Sequence, residues 1–368
     1  MYKIAFFNDC KGNEKIERQI MDRKKCGNSG LELPLMGVGC WSFGGGNYWG
    51  DQDQRDVDSV VRRALEIDCN YFDTAEAYND GASEESLGRA LKGIREKAII
   101  GTKISPSNTA PNTLRLHCEA SLKRLQTDYI DLYMIHWPIH AHSIGHFTKD
   151  ESLINNPPSV PKAFETLMKL KEEGKIKNIG LSNHGVRQTI EALETGTEII
   201  VNELPYSLLM RAIEFEILPF CREKNIGIIG YMPLMQGLLS GKYSNPDEVP
   251  PMRTRTRHFS GKRPNSRHGE DGEEKLTFDT IAQIRDLAKD YDIHTTHLSL
   301  AWCKANPAIT CVLVGARNVS QLEDNLAGVS LSLDDNIVSR LNNITKNLQG
   351  RLGTSPDYYE NRLLGRAL

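Results

Sequence analysis

Four side chains of complementary chemistry end or follow short apolar segments of this 368-residue sequence. Asp73 ends the segment YFD, Tyr78 comes five residues later, Lys103 ends IIGTK, and His136 ends DLYMIH. A nearby ammonium favours the phenolate form of a phenol, whose pKa is otherwise about 10. A buried carboxylate keeps the ammonium charged, and an imidazole orients an oxygen or shares a proton. The set predicts delivery of a proton to a carbonyl oxygen while another group attacks the carbon.

The elements that would position these residues are short β-branched or aromatic runs alternating with segments of helical periodicity, such as Val57, Val60, Val61 and Ala64. Eight alternations predict an α/β fold, the (β/α)8 TIM barrel, whose active sites lie at the carboxyl ends of the strands. The predicted strands are residues 35–40, 71–73, 98–103, 130–136, 179–182, 199–202, 226–231 and 311–315.

Two alternatives remain open from the residues alone. Any one of the four polar side chains at the strand ends can be a hydrogen-bonded structural residue, although four at consecutive strand ends weaken that interpretation. A doubly wound open sheet shares the alternation, but its dinucleotide-binding form carries GxGxxG after the first strand. Here the corresponding stretch runs from Gly37 to Ser42, with serine in place of the third glycine.

Long polar segments predict loops after the fourth and seventh strands, at residues 139–159 and 243–274. We expect residues 1–30 to be a peripheral N-terminal extension, 31–350 a single catalytic barrel, and 351–368 a C-terminal tail. Residues 1–20 lack a recognisable partner, so we expect them to be dispensable for catalysis.

The composition excludes several classes of function. A net charge of −3 argues against a nucleic-acid binder, and no apolar run approaches the roughly 18 residues of a membrane span. The N-terminus does not resemble a secretory signal, and the eight cysteines form no CxxC pair, which favours a cytoplasmic protein. The sequence gives no indication of oligomeric state.

Seven segments in order, over residues 28–326, resemble the aldo-keto reductase family: GVGCWSFGG, YFDTAEAYNDGASEESLGRAL, IIGTKI, DLYMIHWP, IGLSNH, GYMPLMQGLLSGK and GARNVSQLEDNL. The resemblance implies a (β/α)8 barrel that binds NADP(H) without a GxGxxG motif and interconverts a small carbonyl compound and its alcohol. It also implies that Tyr78 is the general acid, that Lys103 with Asp73 tunes it, that His136 orients the carbonyl, and that the nicotinamide gives the hydride.

The same resemblance assigns residues to the cofactor. Ser182 and Asn183 would bind the carboxamide, Tyr231 would stack on the nicotinamide, residues 233–237 with Lys242 would follow the pyrophosphate, and Arg317 suits a 2′-phosphate. The full set is Cys40, Trp41, Asp73, Ser182, Asn183, Glu203, Tyr231, Met232, Pro233, Leu234, Gln236, Gly237, Lys242, Gly315, Arg317, Gln321, Asp324 and Asn325.

The chain departs from the family pattern at three of these positions. Glu203 stands where many relatives carry a glutamine that binds the carboxamide, Met232 where a serine is common, and Cys40 where a threonine is common. A glutamate accepts the amide N–H of a carboxamide but cannot donate.

Two other functions compete with the reductase hypothesis. A redox-sensing regulatory barrel with vestigial turnover is the first, against which His136 argues because the channel-associated regulatory relatives lack it. A metal-dependent hydrolase using His140, His142 and His146 is the second.

The substrate is not named by the sequence. The loops after strands one, four and seven would set selectivity. An aromatic rim of Trp41, Tyr48, Trp49, Trp137 and Phe147 suits sugars, aryl aldehydes or steroids. The basic run at Arg253, Arg255 and Arg257 either reaches the adenosine phosphate or forms a solvated face.

Overall fold

The alternating segments fold into a closed barrel of eight parallel strands, which confirms the predicted (β/α)8 architecture. The computed structural model describes residues 21–367. Each barrel strand pairs with the next along the chain, and the last pairs with the first. The strands are β1 (Arg23–Lys25) and β2 (Glu32–Pro34), which form a separate hairpin, then β3 (Met36–Gly39), β4 (Tyr71–Asp73), β5 (Ile99–Ile104), β6 (Ile130–Ile135), β7 (Ile176–Ser182), β8 (Val201–Pro205), β9 (Gly227–Tyr231) and β10 (Ile309–Gly315).

Amphipathic helices surround the barrel. In the first, Asp53 caps the N-terminus by accepting from Arg55 N at 2.8 Å, and the predicted stripe from Val57 to Ala64 is buried against the strands. The helices are α1 (Gln54–Glu66), α2 (Ala82–Ala90), α3 (Pro111–Leu125), α4 (Ala141–Ile144), α5 (Glu151–Asn155), α6 (Val160–Glu172), α7 (Val186–Glu194), α8 (Ile217–Glu223), α9 (Glu274–Asp290), α10 (Thr295–Ala305), α11 (Val319–Ser330) and α12 (Asp335–Leu352). None of these is both long and apolar enough to cross a membrane.

The β1–β2 hairpin closes one end of the barrel. Cys26 and Leu33 of this hairpin are fully buried in the apolar cluster that fills the interior, together with Tyr71 and Met134. The boundary that we placed after residue 30 therefore divides a structural unit. The expectation that residues 1–20 are dispensable lies outside the described residues.

The ring of Tyr71 packs against two barrel strands at positions where each strand carries a glycine. A Cβ atom at Gly37 would lie 2.6 Å from Tyr71 Cδ1, and one at Gly101 would lie 2.5 Å from its hydroxyl oxygen. The glycines let the ring fill the barrel centre, and its hydroxyl donates to Asp73 Oδ2 at 3.4 Å. The floor of the predicted site is thus set by packing inside the barrel.

The end of the chain folds back over the barrel's carboxyl-end loops. After α12, Asp357 and Arg366 form a fully or nearly fully buried ion pair, with Arg366 Nε 2.7 Å from Asp357 Oδ2. Arg257, in the loop after β9, donates to Ser355 O at 2.7 Å, and its own backbone N donates to Tyr358 O. The segment predicted as a tail is therefore packed against the two long loops.

Candidate active site

The ends of β4 and β5 bring three predicted catalytic side chains into contact. These neighbouring strands pair with Asp73 opposite Gly101, so Lys103 rises beside Asp73 at the same end of the barrel. Lys103 Nζ donates to Asp73 Oδ1 at 2.5 Å, to Thr74 O at 3.0 Å and to Tyr78 Oη at 3.3 Å. Lys103 is 0% exposed and Asp73 2%. The predicted convergence of these residues is present in the structure.

The charges of this cluster follow from burial and neighbours. Burial alone disfavours the ammonium of Lys103, but the carboxyl groups of Asp73 and Glu203 outweigh it and raise the pKa of the lysine. Burial raises the pKa of Tyr78 above that of a free phenol, and Lys103 only partly opposes the effect. Lys103 lowers the pKa of the phenol, as expected, but the opposing effect of burial is larger, so the net shift is upward. At neutral pH Tyr78 is a protonated donor.

His136 follows β6 and stands beside the phenol. Its ring centroid lies 5.6 Å from that of Tyr78 and 5.9 Å from that of Phe147. Burial first, then the charges of Lys103 and Arg366, hold the pKa of His136 well below its ordinary value, so the ring is neutral. Among the described residues, its buried Nδ1 has no hydrogen-bond partner. A neutral imidazole with a spare nitrogen can orient a substrate oxygen.

Three predicted cofactor residues at the ends of β7 and β9 form one chain of hydrogen bonds. Tyr231 Oη donates to Asn183 Oδ1 at 2.7 Å, and Asn183 Nδ2 donates to Ser182 Oγ at 3.0 Å and to His136 O at 3.0 Å. Asn183 adopts a left-handed backbone conformation with φ of +61°. The amide of Asn183 is thereby fixed next to His136.

Glu203 lies inside β8, because this strand runs to Pro205 and not only to residue 202. Its Oε1 is 3.4 Å from Lys103 Nζ, and the side chain also hydrogen-bonds with Asp73. The residue expected at a cofactor carboxamide thus belongs to the lysine cluster in this structure.

The first barrel loop adds aromatic rings to the site. Trp41 stacks on Tyr48 at 4.8 Å and on Tyr78 at 5.7 Å, and Trp49 packs edge-on against Trp41. Cys40 is buried beneath them and its backbone N donates to Asp73 O. The predicted aromatic rim is therefore present, except that Trp137 packs against the Arg366 guanidinium, 3.6 Å from its ring centre.

The segment after β9 takes an irregular path. Met232 and Gln236 are left-handed, as is Gly237 with φ of +96°. Gln236 Nε2 donates to Tyr359 Oη at 2.7 Å, and Arg253 Nη1 donates to Gln236 O at 3.3 Å. Pro233 and Leu234 lie within this turn, and Lys242 beyond it is exposed.

Arg317 follows β10 and holds the first barrel loop. It donates from Nε to Gln52 Oε1 at 2.8 Å, from Nη1 to Trp49 O at 2.9 Å, and from Nη2 to Asp51 O. Since a guanidinium carries five N–H groups, two remain for another ligand.

The remaining residues predicted to bind the cofactor, Gln321, Asn325 and Asp324, form hydrogen bonds within the protein. Gln321 Oε1 accepts from Arg317 N at 2.9 Å, Asn325 donates to Gly315 O at 3.1 Å, and Asp324 accepts from His297 at 2.8 Å.

Sequence reasoning missed the C-terminal segment as part of the site. Tyr359 contacts Gln236, and its hydroxyl lies 4.0 Å from Met232 Sδ. The Arg255 guanidinium lies between the rings of Tyr48 and Tyr359, at 5.7 and 5.5 Å from their centres. The only signal was the aromatic pair Tyr358–Tyr359 in a polar stretch. The basic run is not a solvated face throughout, since Arg257 is fully buried.

The histidine-rich loop offers a poor metal site. His142, His146 and Glu360 place ligand atoms within 4.8 Å of one another, but Arg267 Nε already binds Glu360 at 2.8 Å. His140 is directed elsewhere, with Nε2 2.8 Å from Arg366 O. A divalent cation here would face the charges of Arg267 and Arg366, which both act on His146, and the loop shares no ligand with the Lys103 cluster.

Comparison with known proteins agrees with this geometry. The sequence profile of the Aldo/keto reductase family matches residues 35–346. A protein named NADH-specific methylglyoxal reductase from Escherichia coli (strain K12) is 32% identical over 338 residues, or 86% of this chain and 95% of its own. Aldo-keto reductase YhdN from Bacillus subtilis (strain 168) is 30% identical, with 86% and 91% covered.

Solved structures share the barrel. The glycerol dehydrogenase from Gluconobacter oxydans superposes with a TM-score of 0.71 at 25% identity, covering 89% of this chain and 95% of that one. An aldo-keto reductase from Klebsiella pneumoniae in complex with NADPH superposes with a TM-score of 0.64 at 24% identity. The match covers 88% of this chain and 96% of that one, and it supports the fold. With the family profile spanning most of the sequence, the chain belongs to the Aldo/keto reductase family of oxidoreductases.

Proposed function

We propose that this protein reduces an aldehyde or ketone to an alcohol, reversibly, with NADPH as the hydride donor and Tyr78 as the general acid. The observation that carries the proposal is the buried Lys103 ammonium, which bridges the Asp73 carboxylate and the Tyr78 hydroxyl. Such an arrangement supplies a proton to a carbonyl oxygen and stabilises the phenolate that remains.

The residues around the mouth fit a nicotinamide nucleotide. His136 Nδ1 and Trp49 Nε1 are buried polar atoms without a partner among the described residues, and both lie beside the Tyr78 cluster. Ser182 and Asn183 would hold the carboxamide and Tyr231 would stack against the ring. When bound, the nucleotide supplies the hydride.

The chain's own residues perform the remaining work in this proposal. The neutral His136 donates one hydrogen bond to orient the carbonyl oxygen, and Tyr78 gives its proton to the same oxygen as negative charge develops there. Lys103 stabilises the resulting phenolate, and the aromatic rings of Trp41 and Phe147 exclude water from the reacting atoms. In alcohol oxidation the phenolate takes the proton back.

NADPH is proposed over NADH because of Arg317, which has two N–H groups beyond those holding the first loop. Its planar fork suits a 2′-phosphate. The E. coli relative named for NADH specificity shows that this preference has to be measured for each chain.

A substrate panel tests the proposal. NADPH consumption is followed with sugars, aryl aldehydes, keto-steroids and methylglyoxal, the last because a relative is named for it. Polyols with NADP⁺ test the reverse direction. Turnover of any carbonyl that vanishes in Tyr78→Phe supports a reductase. Tight NADPH binding without turnover on the whole panel would instead favour the regulatory barrel.

A further inference from the structure

Glu203 is a fourth ionisable side chain in the cluster of Lys103, Asp73 and Tyr78, and it is the most distant of the four acceptors around the lysine ammonium. An ammonium carries three N–H groups, and those of Lys103 point to Asp73 Oδ1, Thr74 O and Tyr78 Oη at 2.5, 3.0 and 3.3 Å. Glu203 Oε1 lies farther away, at 3.4 Å. Among the described residues, no donor reaches its buried Oε2.

The number of charged groups in the cluster also indicates that one carboxyl group keeps its proton. If Asp73 and Glu203 were both ionised, two carboxylates would share one buried lysine. Two like charges in hydrogen-bond contact cannot both be maintained in a dry site, and one carboxyl group then keeps its proton. A proton on Glu203 also gives its side chain a donor for the contact with Asp73.

We propose that Glu203 is a positioning residue that holds a proton shared with Asp73, so that Lys103 faces one negative charge while Tyr78 acts as the acid. This inference rests on the proposed reductase function. Because Glu203 faces the cluster of Lys103, Asp73 and Tyr78, its effect is on the ionisation of Tyr78.

The surroundings of Glu203 support a retained proton. Burial first, then the charge of Asp73, raise the pKa of Glu203 well above its ordinary value, and Lys103 only partly opposes them. Burial also raises the pKa of Asp73. The groups that face Glu203 from the neighbouring strands and loop are Asp73, Tyr71, Tyr78, Lys103, Tyr231 and Cys311. Lys103 is the one cation in this set.

Ionisation of Glu203 should shift the pH dependence of alcohol oxidation in one direction, toward higher pH. When Glu203 loses its proton at alkaline pH, a second negative charge appears near Tyr78, and negative charge at Glu203 raises the pKa of this phenol. Alcohol oxidation needs the phenolate, so ionised Glu203 postpones the rise of the oxidation rate to higher pH. Reduction needs the neutral phenol and is supported by the same charge.

The experiment compares alcohol oxidation by the wild type and Glu203→Gln as a function of pH. Glutamine matches glutamate in shape, cannot ionise, and can donate to Asp73. We expect the alkaline rise of kcat/KM to begin about one pH unit lower in the variant, so that on the rising limb the variant is about tenfold faster.

Glu76→Gln is the matched control. Glu76 is also buried in the loop after β4, but it bonds to Ser105 N, Asn108 and His117. Its pKa is lowered, so this control should leave the alkaline rise in place.

Infrared spectroscopy provides a readout that does not depend on turnover. The wild type at neutral pH should show the C=O stretch of a protonated carboxylic acid that Glu203→Gln removes and that Glu76→Gln leaves in place. Glu84, a buried carboxyl group paired with Arg124, also has a pKa raised by burial, so Glu84→Gln is a second control and should leave the Glu203 band in place. A missing band, or an unchanged pH profile in E203Q, overturns the inference. So does weaker binding of both cofactor forms with an unshifted profile, which would make Glu203 a cofactor ligand only. If the wild type turns over no substrate, the proposed function fails, and the infrared result still decides the protonation of Glu203.

Discussion

At the scale of single residues, the site keeps Tyr78 protonated, as its proposed role as general acid requires. Burial raises the pKa of the phenol, and the adjacent Lys103 remains charged through its contact with Asp73. The lysine is therefore available to stabilise a phenolate as soon as it forms, without rearrangement of water. This is electrostatic preorganisation, in which the charge is positioned before the reaction begins.

Replacement of Tyr78 by phenylalanine removes the proton donor and leaves the ring stack with Trp41 in place. General acids contribute about 10²- to 10⁴-fold, so we expect kcat to fall by that factor while the Kd for NADPH changes little. Stopped-flow reduction and fluorescence titration of NADPH measure the two quantities. A variant that keeps a large share of the wild-type kcat would assign the proton to another group.

Arg317 is predicted to set the preference between cofactors. A charge-assisted hydrogen bond to phosphate is worth about 1.5–3 kcal/mol, so NADPH should bind about ten- to a hundredfold more tightly than NADH. Arg317→Ala should narrow this gap. Because Arg317 also holds Trp49 O and Gln52, affinity for both cofactors is measured in the variant. Equal wild-type affinities would refute the assignment.

At the scale of elements, parallel strands that end at one face of the barrel bring together residues from distant parts of the chain. Asp73 and Lys103 belong to adjacent strands, whereas Glu203 reaches the same cluster from β8 across the barrel. The C-terminal segment then covers the mouth through Tyr359 and through the buried pair of Asp357 and Arg366. We therefore expect the arrangement of these loops to depend on that pair.

Asp357→Asn tests this dependence. Removing one partner of a buried ion pair costs about 3–5 kcal/mol, and we expect a lower Tm and a raised KM, with a smaller change in kcat. Asp279→Asn, which breaks an exposed pair with Lys275, is the control and should leave the Tm unchanged. An unaltered KM in a destabilised Asp357→Asn would show that the segment does not shape the substrate site.

The Asp357–Arg366 pair also contributes to the free energy of unfolding of the wild type, and this contribution is lost in acid. Burial opposes ionisation of Asp357, but its bonds to Arg366 outweigh burial and lower the pKa. A carboxylate with a lowered folded-state pKa stabilises above its unfolded pKa of about 3.9 and loses this contribution as pH falls through the folded value. Unfolding by urea at decreasing pH should show that loss in the wild type and less of it in Asp357→Asn.

At the scale of the whole molecule, the two ends of the barrel have separate roles. The β1–β2 hairpin seals the end opposite the site with Cys26 and Leu33, whereas the loops after β6 and β9 with the C-terminal segment build the mouth. Tyr71 joins the two ends, because it packs with Cys26 and Leu33 and its hydroxyl donates to Asp73 Oδ2.

A chain that starts at Met21 retains the whole hairpin, so we expect it to keep its kcat/KM with at most a modest loss of Tm. Steady-state kinetics and thermal unfolding of the shortened and full-length proteins measure both. As a control, a chain that starts at residue 28 removes β1 and should unfold at a lower temperature. A large fall in rate for the folded Met21 chain would show that residues 1–20 reach the mouth.

The sequence by itself determined the barrel and the acidic, phenolic, amine and imidazole residues at its mouth, because strand periodicity and strand ends are local features. It did not determine the position of Glu203, since a shift of the strand boundary by a few residues decides which element carries a side chain. It also left the C-terminal segment as a tail, because contacts such as Tyr359 with Gln236 join residues more than a hundred positions apart. Likewise, the raised pKa of Tyr78 depends on desolvation by the assembled barrel, which only the tertiary structure supplies.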